Sequence, residues 1–80
     1  MPSADDLTQA LDAAIAAARD EYRNAVIELA TRKANKVGDA DREPADVDRI
    51  HHARTRVIAL DAAREELSRM IEEGVSLAAG

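Results

Sequence analysis

The stretch LTQALDAAIAAARDEYRNAVIEL, residues 7–29, decides the fold. Its large side chains fall at Leu7, Leu11, Ile15, Tyr22, Val26 and Leu29, with Ala14, Ala18 and Ala25 between them. Steps of three and four residues place them along one face of a helix. Alanine, leucine, arginine and glutamate, the strongest helix formers, make up most of the stretch. Upstream, Ser3-Ala4-Asp5-Asp6 offers an N-cap hydroxyl and an acidic residue three positions on, close to a capping box. Downstream, Lys33 and Lys36 suit the negative end of the helix dipole, and Gly38 suits the position just past a helix. The first helix is expected over about 3–37.

Beyond it, Gly38-Asp39-Ala40-Asp41-Arg42-Glu43 reads as a short acidic turn, 38–43. Pro44 suits the first position of a second helix, where its missing N–H costs nothing. That helix, about 44–74, carries Ile50, Ala53, Val57, Leu60, Leu67 and Ile71 in steps of three, four and seven, with Arg64 interrupting the stripe. Gly74 is expected to end it. Glu72 and Glu73 have the wrong sign for a helix C-terminus, so fraying or an irregular tail is expected over 75–80. A short turn between long helices makes them antiparallel neighbours. The fold class is therefore all-α: a two-helix hairpin in one domain, 1–80. With the turn centred near Asp41, Leu29 is expected to meet the Val47–Val57 region and Leu11 to lie near Ile71.

Two stripes facing each other are each covered on one side only. Ile27 sits beside Val26 and about 100° round the helix from it, and Val47 and Ile58 lie off the Ile50–Val57–Leu60 line. These three residues imply a second contact face. A chain of 80 residues with no cysteine has neither a large core nor a disulfide to hold it. The expected solution is a homodimer closing into a coiled-coil-like four-helix bundle, or docking in a larger protein assembly.

Charge is segregated along the chain. Residues 1–18 carry only Asp5, Asp6 and Asp12; 19–37 and 49–64 are net basic; the turn and 65–73 are acidic. Two hairpins with turns at opposite ends would set Arg49, Arg54 and Arg56 of one against acids of the other. The expected interface residues are thus Ile27, Val47, Ile58, Arg49, Arg54 and Arg56.

Composition disfavours other classes. A formal net charge of −5 and a single aromatic residue, Tyr22, oppose nucleic-acid binding, which rests on basic footprints and stacking platforms. The apolar run Ala13–Ala18 is far short of a membrane span. The segment Met1–Asp6 lacks the basic and apolar parts of a secretory signal, and the cysteine-free composition suits a reducing compartment, so a cytoplasmic location is expected.

Chemistry-bearing patterns are few. His51 and His52 are adjacent on a helix and diverge by about 100°, so one metal cannot draw on both unaided. Asp48 and His52 could pair, and either histidine could make an interface pH-responsive. The turn beginning at Asp39 has Pro44 and Ile50 where a calcium loop needs glycine and glutamate. No nucleophile–base set, phosphate-binding glycine loop or buried carboxylate pair is present in the sequence. The expectation is no enzyme, no catalytic residue, no metal, no cofactor and no small-molecule substrate. The leading functional expectation is a non-enzymatic protein–protein interaction module, a structural or adaptor subunit. The alternative is a small acidic regulatory binder, antitoxin-like or an inhibitor protein, acting on a partner protein.

Overall fold

The alternation of aliphatic and polar positions builds two long helices, α1 (Ala4–Asn35) and α2 (Pro44–Glu73), packed against each other. The computed structural model describes residues 2–35 and 44–77, with the side chains of 44–46 left aside. The expected turn, 38–43, lies outside these residues. No strand occurs among those described.

Each described helix end has a local cause. At the start of α1, Ser3 Oγ accepts a hydrogen bond from the Asp6 N–H at 3.1 Å, and Asp6 Oδ2 accepts one from the Ser3 N–H at 3.0 Å. This reciprocal pair satisfies two donors the helix cannot satisfy itself. At the end of α2, Gly74 adopts φ 74°, a left-handed conformation that glycine reaches without a Cβ penalty. There the Gly74 N–H donates to the Ile71 carbonyl at 3.1 Å and the Val75 N–H to the Met70 carbonyl at 2.9 Å, the Schellman pattern. Glu72 and Glu73 therefore sit in a capped end rather than a fraying one, and residues 75–77 follow without regular structure.

Four cross-helix ion pairs among the described residues report direction and register. Asp12 meets Arg64, Arg19 meets Asp61, Glu21 meets Arg56 and Glu28 meets Arg49. Numbers rise on one helix as they fall on the other, so the helices are antiparallel. Leu29 lies beside the level of Arg49, within the expected Val47–Val57 region, whereas Leu11 lies about a turn from the expected Ile71, level with the buried Leu67, and Ile71 is left partly exposed. Periodicity fixes which face packs but not its height, which the ion pairs report.

Small residues occupy the seam. Among the described residues, the buried ones are Ala18, Ala25, Ala53 and Leu67. The register brings Ala25 and Ala53 to the same level, where two methyl groups let the backbones approach closely. Leu11, Ile15, Tyr22, Leu29, Ile50, Val57 and Leu60 flank this line half-buried. The result is a rod of 57 × 20 × 16 Å, one helix thick, with a radius of gyration of 17.8 Å. A globular chain of this length has a radius of about 12 Å.

Candidate interaction surface

The seam divides the hairpin into two flanks of different chemistry. One residue advances a helix by about 100°, so the residue after each seam position lies on one flank. On α1 these are Arg19 and Val26, after Ala18 and Ala25. On α2 they are Arg54, Ile58 and Asp61, after Ala53, Val57 and Leu60. The Arg19–Asp61 pair, with Arg19 NH2 donating to Asp61 Oδ2 at 3.1 Å, shows that the two sets share one side of the rod. Val47, one heptad before Arg54, joins them. We call this side the front flank.

The opposite flank is charged. Glu21 and Glu28 stand three positions after Ala18 and Ala25, turned about 60° the other way from the seam. They meet Arg56 at 3.8 Å and Arg49 at 2.7 Å. Arg32 also approaches Glu28, at 3.8 Å. Glu28 raises the proton affinity of the Arg49 guanidinium, first by its hydrogen bond and then by its charge. Arginine is charged at any working pH, so the cationic half of this pair is constant. On the side of the Glu21–Arg56 pair away from Glu28–Arg49 lies a shallow cleft of about 190 Å³ lined by Ala14, Ala17, Ala18, Glu21, Arg56 and Leu60.

The six expected interface residues are thus distributed over three directions. Val47, Ile58 and Arg54 lie together on the front flank, with Val47 62% and Ile58 52% exposed. Val26, which the sequence reading placed in the seam stripe, adds to them at 42% exposed. Arg49 and Arg56 lie on the opposite flank, engaged with Glu28 and Glu21 of their own chain. Ile27, 61% exposed, follows Ala25 by two positions and so points away from α2 altogether. It borders a groove of about 510 Å³ with Glu28, Thr31, Arg32 and Asn35. The sequence did hold a signal for the engaged arginines. Glu21 and Glu28 are one heptad apart, as are Arg49 and Arg56, and an antiparallel pairing matches them in order.

Arg64 stands on the seam line, as its place in the stripe implies. Its Nε donates to Asp12 Oδ1 at 2.8 Å and its NH1 donates to Ser68 Oγ, which leaves the side chain 31% exposed. The histidine pair is open to solvent, with ring centroids 6.1 Å apart and planes at 60°. Among the described residues, no group of three or more His, Cys, Asp or Glu side chains is placed to hold a metal ion. No described helix is long and apolar enough to cross a membrane.

Compared with models of protein families, with curated proteins and with solved structures, the chain matches none.

Proposed function

We propose that this chain is a non-enzymatic interaction module, a helical hairpin that self-associates into a four-helix bundle and acts as a structural or adaptor subunit. One observation carries the reading: the hairpin exposes too much surface for its size. A folded monomer of 8.6 kDa exposes about 4,700 Å² on the usual scaling, whereas this chain exposes 5974 Å². The excess of about 1,300 Å² is somewhat more than the roughly 800 Å² each partner buries in a standard interface. A second layer of helices removes area of this order, because each seam then has a roof. The cysteine-free composition suits the cytoplasm as the place where this happens.

Self-association is favoured over docking on an unrelated partner because the exposed aliphatic side chains lie beside both acids and bases. Such a surface can complement itself. Size-exclusion chromatography with light scattering, on the purified chain over a dilution series, tests the reading. A mass of twice 8.6 kDa is expected. A mass of 8.6 kDa at every concentration, with full helicity, contradicts it.

A further inference from the structure

The front flank carries opposite charges at matched distances from a point near its middle, Arg54 with Glu65 on α2 and Asp5 with Lys33 on α1. Along α2, from the turn outward, it runs Val47, His51, Arg54, Ile58, Asp61, Glu65, Ser68, Glu72, with Arg54 on one side of Ile58 and the acids on the other. Turned end over end about a point between Ile58 and Asp61, the row sets Arg54 against Glu65 twice. Along α1 the same flank runs Asp5, Asp12, Arg19, Val26, Lys33, one residue per heptad, and turned about Arg19 it sets Asp5 against Lys33. The two pivot points lie at one height, because the Arg19–Asp61 ion pair joins them. A single two-fold axis at that height passes both, and each Arg19 beside it keeps its own Asp61 as counter-charge.

We infer that the second copy seats on the front flank, with α2 on α2, α1 on α1 and the turns at opposite ends, about a two-fold axis crossing the rod beside Arg19–Asp61. This rests on the self-association proposed above. It assigns Arg54 and Glu65 to intermolecular pairs and buries Val26, Val47 and Ile58 between the layers, and the Glu21–Arg56 and Glu28–Arg49 flank faces water. Among the described residues, neither Arg54 nor Glu65 has a hydrogen bond or ion pair within the chain. The opposite choice, with turns at the same end, lays α2 on the partner's α1. Asp12 stands at the height of Arg64, so that arrangement would bring Glu65 against Asp12, two like charges.

The test uses charge reversal in the full chain. Arg54 and Glu65 of one chain are three helical turns apart, roughly 16 Å, too far to pair with each other. Recovery of the double variant therefore has to come through a second chain. Arg54→Glu and Glu65→Lys are each expected to weaken the dimer roughly tenfold in sedimentation equilibrium, since two symmetry-related contacts turn repulsive. Arg54→Glu with Glu65→Lys is expected to return to within roughly threefold of the parent. Circular dichroism confirms that helicity is kept, as both sites are exposed.

The absence of cysteine allows a second arm that introduces no charge. Ile58→Cys lies near the axis and is expected to cross-link to its own copy under mild oxidation, whereas Val47→Cys, far from the axis, is not. A parent dimer whose single reversals leave affinity unchanged, or whose double variant fails to recover, overturns this arrangement while self-association stands. Cross-linking through Val47→Cys but not Ile58→Cys overturns it also. A parent that stays monomeric at all concentrations removes both the arrangement and the self-association reading.

Discussion

Arg64 reaches from the seam of α2 to Asp12 of α1, its Nε donating to Oδ1 at 2.8 Å. The contact joins the N-terminal half of α1 to the C-terminal half of α2, yet its Asp12 end is 56% exposed, so solvent weakens the attraction. Asp12→Asn is expected to cost less than about 1 kcal/mol. Arg64→Leu continues the aliphatic stripe and leaves only a solvated carboxylate behind, so it is expected to hold or raise the thermal midpoint. Thermal denaturation followed by circular dichroism measures both, and a large loss in Arg64→Leu would show that the ion pair, not burial, holds this end.

Ala25 and Ala53, 2% and 4% exposed at the same height, set the closeness of the helices. Ala25→Leu adds three carbons where no space exists. Overpacking of this kind costs about 1–3 kcal/mol. Urea denaturation is expected to show that loss in Ala25→Leu and little change in the exposed Ala16→Leu.

Ile58 and Ile27 are both large, apolar and exposed, but they point to different sides of the rod. A carboxylate at position 58 would be buried between the layers, and one at 27 would stay in water. Ile58→Asp is expected to give a monomer by light scattering, whereas Ile27→Asp stays as associated as the parent. Equal dissociation by both would move the contact surface towards the outer face of α1.

Most of the architecture was legible in the sequence, and the missing parts share one cause. Helix positions follow from local pattern: the Ser3–Asp6 cap and the Gly74 stop depend on residues within a few positions of each other. Cross-helix partners depend on register, which local pattern does not contain. Arg64 has Asp61 and Glu65 as sequence neighbours, but its partner is Asp12, on the other helix. Arg49 and Arg56 read as a basic patch for a second chain until register brings Glu28 and Glu21 to them. The facing stripes hold Ala18, Ala25 and Ala53 among the large aliphatics, and these alanines, with Leu67, are the buried positions among the described residues, because close approach hides the smallest side chains most completely. Of the expected contact surface, Val47, Ile58 and Arg54 share one flank. Ile27 does not, since two residues' rotation from Ala25 carries it past the edge.

The ladder of Glu21–Arg56 and Glu28–Arg49 gives a further expectation. These groups are 42–67% exposed, so salt screens them and each contributes little. Glu21→Gln with Glu28→Gln is expected to cost less than about 2 kcal/mol in urea denaturation and to leave the dimer affinity unchanged. A fall in affinity would place this flank in the contact instead.

Concentration-dependent thermal melting tests the central claim most directly. If folding is coupled to association, the stability of the helices depends on how much chain is present. The account predicts a midpoint that rises steadily with concentration from micromolar to millimolar, with helicity and dimer mass lost together on dilution. A sharp melt whose midpoint is the same at every concentration, from a chain of 8.6 kDa, would show that the hairpin is stable alone and contradict the account.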